Sequence, residues 1–238
     1  MSEDLSVQSD GAFVTITLDR SDKRNALSGD LVEALIMAVD EAHTHQAEGI
    51  VFRGNGKNFS AGFDFSGWRE QSEGDLVLRF IRIETLLQKI ATSPALTIGL
   101  AHGRNFGAGV DLFGVCRWRV ATEDATFRMP GLKFGLVLGT RRFAECVGDQ
   151  SAREILSSTR TFDAHEARDI GFVTDHVAQG KWNALLDTAN ADKPDPARAL
   201  LSAALCREQP DTDLAQLVRS ASRPGLKGRI AAYLDPAT

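Results

Sequence analysis

Cysteine is scarce in this chain: its 238 residues include three, Cys116, Cys146 and Cys206, with no C-x-x-C pair. An odd number cannot be fully paired within one chain, and the missing C-x-x-C removes the usual thiol-redox and zinc spacings, so the three read as reduced, inert thiols in apolar surroundings. Basic charge is not in excess. Lys plus Arg number 27 against 32 Asp plus Glu, a net charge of -5, so no global positive field exists to hold a nucleic acid backbone. An anionic ligand would need a local basic pocket. No apolar run approaches the ~18 residues of a membrane span, and MSEDLSVQSD carries acids where a secretory leader carries bases. The expectation is a cytoplasmic protein with no membrane partner. Without a secretory route, the triplet Asn58-Phe59-Ser60 carries no weight as a glycosylation site. G-x-x-x-x-G-K-[ST], G-x-G-x-x-G after a strand and G-x-S-x-G are all missing, which excludes the nucleotide-binding and nucleophile-elbow motifs. His43 and His45 lie two apart in a helical stretch and so on different faces, and no metal site is expected.

What is present suits a folded protein: 43% apolar residues, 25% charged and 21 Gly. At ~150 residues per domain the length suggests one to two domains, burying roughly 70% of the surface of the unfolded chain. Phe13-Val14-Thr15-Ile16-Thr17-Leu18 is β-branched and partly alternating, a strand, followed by a polar turn from Asp19 to Asn25. Leu31, Ala34, Leu35, Ala38, Val39 and Ala42 form one helical stripe, with Asp30 and Glu33 in a capping arrangement. Ile50-Val51-Phe52 is a short buried strand, and Gly54 to Gly62 a loop. Leu76, Phe80, Ile83, Leu87 and Ile90 mark a second helix, closed by Ser93-Pro94. Strands at Ala95–Ala101, Trp118–Ala121 and Thr126–Met129 follow, and helical patterns dominate after Gly139. The alternation predicts an α/β fold with parallel strand pairs, divided into a core over 1–185 and a helical C-terminal region over 186–238.

Two loops share a design in which a strand ends, glycines follow and a helix begins: Ser60-Ala61-Gly62-Phe63-Asp64 and Gly107-Ala108-Gly109. Each offers free backbone N–H groups at a helix start. Two such groups aimed at one point form an oxyanion hole, although tight turns alone would use the same glycines.

Five segments in order resemble the crotonase superfamily, the enoyl-CoA hydratase and isomerase group: LDRSDKRNAL, GNGKNFSAGFDFSGW, AHGRNFGAGVDLFGVCRWRVATEDATFRMP, RTFDAHEARDIGFVTDHV and GLKGRIAAYL. The resemblance implies a spiral of ββα units with a helical C-terminal region, a homotrimer or homohexamer, and a coenzyme A thioester as substrate rather than any permanently bound cofactor. It places the two oxyanion N–H groups on Phe63 and Ala108. Arg24, Ala26, Ala61, Gly62, Gly107 and Gly131 would join them in holding the acyl-CoA.

Hydratases of this group use two glutamates. At the first position this chain has Asp111, a carboxylate shorter by one methylene, and Val-Asp-Leu here is similar to the dienoyl-CoA isomerase branch. The second position falls at Gly131, which has no side chain to move a proton. Gly135 to Arg142 is also about three residues shorter than the family pattern, and the aspartate that some isomerases carry there is missing. Hydration or isomerisation is the leading expectation. The alternatives are decarboxylation, thioester hydrolysis and, from another class, a non-catalytic binder of acyl-CoA. Asp111 is then either the acid or base or a first-turn helical aspartate. Asp64 reads as a helix cap. Arg141 and Arg142 either face the acyl end, ready for a second carboxylate, or form a solvated pair. His102 reads as packed or backbone-bonded. Phe65 and Trp68 read as acyl-pocket border or core.

Overall fold

Strand β2 (Phe13–Leu18) shows why the sheet forms where it does. Its even positions Val14, Ile16 and Leu18 join one apolar cluster and Phe13 joins a second, because successive side chains of a strand point to opposite faces. Strand β3 (Gly49–Gly54) divides in the same way, Ile50 and Phe52 to the first cluster and Val51 to the second. The computed structural model describes residues 3–191, 204–205 and 208–235. Within these, β1 (Leu5–Asp10), β2, β3, β4 (Leu96–Ala101), β6 (Trp118–Ala121) and β9 (Asp175–His176) form one sheet in the order β1-β2-β3-β4-β6-β9. β1 and β2 run antiparallel, and every other neighbour in it is parallel. A second sheet joins β5 (Arg104–Phe106), β7 (Thr126–Arg128) and β8 (Thr161–Asp163). The result is an α/β spiral with two mixed sheets and helices at the C-terminal end.

The larger cluster lies between the six-stranded sheet and helices α1 (Gly29–Thr44) and α2 (Glu73–Ala91), each of which buries one stripe. The start of α1 differs from expectation. The cap is Ser28, whose hydroxyl accepts from Leu31 N at 3.2 Å, while Glu33 pairs with Arg82 of α2 at 2.5 Å. Ser28 has the extended backbone of a capping residue, whereas Asp30 already lies inside the helix. Helix α2 opens with a full capping box between Ser72 and Asp75.

A helix expected from the first glycine loop is not there. Residues 60–71 contain no regular helix, and α2 starts only at Glu73. The second loop behaves as expected, with Gly107 leading into α3 (Ala108–Gly114). The chain continues through α4 (Thr140–Val147), α5 (Asp149–Ser158), α6 (Ala164–Asp169), α7 (Trp182–Ala191), α8 (Pro210–Ala221) and α9 (Leu226–Leu234). Helices dominate this stretch as expected, with the short strands β8 and β9 set between them. Helix α7 spans the expected division at residues 185 and 186, and its Trp182 covers the outer face of the sheet in the smaller cluster. No helix among the described residues is long and apolar enough to cross a membrane.

Candidate active site

Segment 58–64 has no ladder of its own, so side chains and single backbone bonds must fix it. From one side the early turn grips it. Ala61 N donates to Arg24 O at 2.9 Å, Leu27 N to Gly62 O at 2.7 Å, and Asp64 N to Leu27 O at 3.2 Å. Asn25 is fully buried with φ +54°, and its amide donates to Asn55 O at 2.9 Å and Asn58 O at 3.0 Å while its oxygen accepts from Arg20 N at 2.9 Å. From the other side β5 grips it. Phe106 N donates to Ser60 O at 3.2 Å, and Asn105 Oδ1 accepts from Ser60 N at 3.3 Å. Three buried asparagines, Asn25, Asn58 and Asn105, thus join the two glycine loops. Replacing Asn25 by alanine strands several of these buried groups, and about 3 kcal/mol of stability should be lost, read as a shifted midpoint in denaturant unfolding.

Gly62 lies at the meeting point with φ +78°. A Cβ there would penetrate Phe106 O and lie 3.1 Å from Ala108 N, so the two loops touch through a position only glycine can occupy. Neither Phe63 N nor Ala108 N has an acceptor among the described residues. Both residues line one cavity, together with Ala61, Gly107, Asp111, Gly131, Phe65, Phe80, Phe134 and Tyr233. The aromatic rings pack on one another, Phe63 on Phe80 at 4.4 Å and Phe134 on Tyr233 at 5.2 Å. This part of the wall comes from four elements, including the C-terminal α9.

Asp111 is the one carboxyl on that wall among the described residues. It stands three residues after Ala108 in α3, on the same helical face one turn on. It is 7% exposed, and Oδ1 has no hydrogen-bond partner among the described residues. Burial in apolar surroundings pushes its carboxyl well above the ordinary range, the buried Glu84 adds to this, and Arg142 opposes it. Gly139, φ +64°, packs so closely on Oδ1 that no Cβ fits between them. Gly131, which opens the 3₁₀ turn Gly131–Phe134, also lines the cavity and brings no side chain that could act as an acid.

Arg141 and Arg142 overturn both expectations. Neither lines the main cavity and neither is a solvated pair. Arg141 binds Asp213 at 2.7 Å and Glu145 at 2.6 Å, while Arg142, 6% exposed, binds Glu84 at 3.0 Å and Glu208 at 2.9 Å. Acids on α2, α8 and the chain before α8 draw both guanidinium groups inward. Arg142 borders a smaller void that also touches Asp111.

Asp64 caps no helix. Its carboxylate accepts from Ser66 N at 2.8 Å and Arg20 Nη1 at 2.5 Å, holding the loop. Arg24 is exposed and contributes its carbonyl, φ +55°, to the loop grip, and Ala26 is buried beside it. Phe65 borders the cavity, whereas Trp68 is core. His102 Nε2 bonds Gly56 O at 3.0 Å with its ring on Trp182, away from the cavity. His43 Nε2 pairs with Ser93 Oγ at 2.8 Å. Burial pushes the Cys116 thiol up to about 12, and Cys146 in the same direction, as expected of inert core thiols; Cys206 lies outside the described residues.

The enoyl-CoA hydratase/isomerase family model matches residues 8–205, and the chain belongs to that family. It is 36% identical over 163 residues to a probable enoyl-CoA hydratase of Mycobacterium tuberculosis, a match over 67% of this chain and 65% of that one. The chain therefore spans under two thirds of that relative's length. It is 28% identical to the ethylmalonyl-CoA decarboxylase of Rattus norvegicus over 99% of this chain and 75% of the relative. Among solved structures, an enoyl-CoA hydratase/isomerase candidate from Bordetella parapertussis superposes with a TM-score of 0.96 at 58% identity, covering 99% of this chain and 100% of that one.

Proposed function

We propose that this protein acts on an acyl-CoA thioester and moves one proton at a time through Asp111, an enoyl-CoA isomerase-type reaction rather than two-carboxylate hydration. The observation that carries this is that Asp111 is the one carboxyl lining the cavity among the described residues, with Gly131 at the place of the second acid. In this reading the thioester oxygen lies between the N–H groups of Phe63 and Ala108. The Asp111 carboxylate takes a proton from a carbon of the acyl chain, and the electron pair moves onto the thioester oxygen as an enolate. The same carboxyl then returns the proton to a different carbon, which leaves the double bond shifted and Asp111 ionised again. One group serves both steps because they are sequential. Water addition needs a second positioned group, and its loss costs roughly 10² to 10⁴ in rate. Coenzyme A enters as part of the substrate, with Ala61, Gly62 and Gly107 near the thioester, Ala26 beside the loop, and the exposed Arg24 available to the phosphate or pantetheine part.

A second reading rests on the burial of Asp111, which favours its protonated form. Loss of CO₂ from a malonyl-type thioester leaves an enolate that needs only an acid, and the rat relative is named as such a decarboxylase. The two readings have opposite pH slopes. Isomerisation needs ionised Asp111 and gains rate as pH rises through its raised pKa, whereas decarboxylation needs the protonated form and loses rate over the same window. Mass spectrometry of a 3-enoyl-CoA, a 2-enoyl-CoA and a malonyl-type thioester after incubation separates them. Double-bond migration should be the fastest conversion, with water addition slower by about 10² or more. Faster loss of CO₂ would establish the second reading, and binding without any turnover would leave an acyl-CoA binder.

Gly131→Glu tests the missing acid directly. A Cβ at this position lies 3.2 Å from Leu136 O, so the neighbouring carbonyl must give by a few tenths of an ångström, and the backbone is not left-handed. The variant should hydrate a 2-enoyl-CoA about 10- to 100-fold faster than the parent, measured by loss of the enoyl absorbance.

A further inference from the structure

The N–H of Phe63 belongs to a segment held by scattered bonds, and Leu27 grips only one side of it. On α2, Arg79 completes the grip. Its guanidinium carbon stands 4.1 Å from the centroid of the Phe63 ring, and Nη2 donates to Asp64 O at 2.7 Å. Nη1 reaches Gln71 Oε1 at 3.3 Å. One side chain therefore holds both the ring of Phe63 and the carbonyl of the residue after it. The Asp64 carboxylate is fixed in turn by Arg20, so the peptide on the far side of the donor is tied to two elements at once.

The charge on Arg79 is as informative as its reach. Three residues further along α2, Arg82 is neutralised by Glu33 at 2.5 Å. Arg79, half-buried, has no carboxylate within ion-pair distance among the described residues; its contacts there are an amide oxygen, a backbone carbonyl and an aromatic face. Burial pulls its pKa down, and the nearby Asp64 carboxylate, itself paired with Arg20, opposes this without an ion-pair contact, so the charge is screened less than in water. A stacked guanidinium also suits an aromatic face better than a lysine ammonium does.

We propose that Arg79 is the positioning residue of the oxyanion pocket: it clamps the Phe63 peptide in place and adds positive potential beside it. This rests on the reading of Phe63 and Ala108 as the oxyanion donors. Displacing a reacting group by about 1 Å costs roughly 10²-fold in rate, and losing an oxyanion donor costs about 10² to 10³. Removal of Arg79 should therefore act on turnover more than on binding.

The test uses cinnamoyl-CoA, whose absorption moves to longer wavelength when its carbonyl is polarised. The full-length protein and its Arg79→Met, Arg79→Lys and Arg82→Met variants are titrated with it, and α-proton exchange of butyryl-CoA in heavy water is followed in parallel. Wild type should give a red shift. In Arg79→Met the shift should fall by about half or more and kcat by about 10- to 100-fold, with KM within about threefold. Arg79→Lys should recover part of both, because it restores the charge without the fork. Arg82→Met should match wild type. A full red shift and unchanged kcat in Arg79→Met would overturn the inference, since methionine keeps the packing and removes only charge and hydrogen bond. If Arg79→Met does not fold, a wild-type shift and kcat in Arg79→Lys would overturn it equally. No shift in wild type would sink the oxyanion reading itself, and this inference with it.

Discussion

Asp111→Asn should abolish proton transfer, with α-proton exchange slowed by about 10³- to 10⁴-fold and thioester binding nearly unchanged. Asparagine keeps the shape beside Gly139 and the packing on the cavity wall, so the loss would report chemistry and not fit. The same variant carries a stability prediction. In the folded protein burial raises the Asp111 pKa well above that of the unfolded chain. The folded state therefore holds a proton that the unfolded state releases, and wild type loses stability as pH rises from the ordinary carboxylate range through the raised value. Asparagine has nothing to titrate. The variant should gain on wild type as pH rises, seen as a growing difference in denaturant midpoint between pH 5 and pH 8. A constant difference would mean that Asp111 is ionised throughout.

Gly62→Ala should be nearly as damaging, by a different route. The left-handed backbone at φ +78° already disfavours alanine by roughly 1 to 2 kcal/mol, and the new methyl would collide with Phe106 O. The loops must separate, and with them the two N–H groups. Activity should fall about 10²- to 10³-fold, the scale of a lost oxyanion donor. Gly67→Ala is the control. Gly67 has φ +66° but meets only Glu70 Oε2 at 3.9 Å, so it should show the backbone cost in thermal unfolding with normal turnover. Equal losses of activity in the two variants would show that backbone strain alone explains Gly62.

The long, strongly patterned elements could be read from the chain. Strands β2, β3, β4 and β6 and helices α1 and α2 carry their own periodicity, because each buries one face or both. Strand β1 is different: of LSVQSD only Leu5 is buried, so the edge strand has almost no apolar alternation to read. Strands β5, β8 and β9 have two or three residues each and exist only through pairing with distant partners, which local pattern does not encode.

At the site, the glycine loops, Asp111 and Gly131 stood out in the sequence, and Ala61, Phe63, Gly107, Ala108, Asp111 and Gly131 line one cavity. The supports were not. Asn25 and Asn105 act through side-chain bonds to backbone 30 to 45 residues away, and a lone asparagine in a turn looks the same whether or not it does so. The left-handed backbone at Arg24 and Asn25 was the available hint, since asparagine is enriched there. Arg141 and Arg142 misled for a related reason. Two arginines opening a helix look solvated until Glu84 and Asp213, from helices far apart in sequence, are seen to meet them. Arg79 was hidden likewise in the polar pattern of α2, where Phe80 beside it carried the visible signal.

The measurement closest to the central claim is deuterium incorporation at the α-carbon of butyryl-CoA in heavy water, followed by mass spectrometry for wild type and Asp111→Asn side by side. Wild type should take up deuterium without net loss of the thioester, and the variant should show none on the same timescale while still binding. Exchange that persists in Asp111→Asn, or a wild type that binds the thioester and exchanges nothing, would contradict a single proton carried by Asp111 on an oxyanion-stabilised enolate.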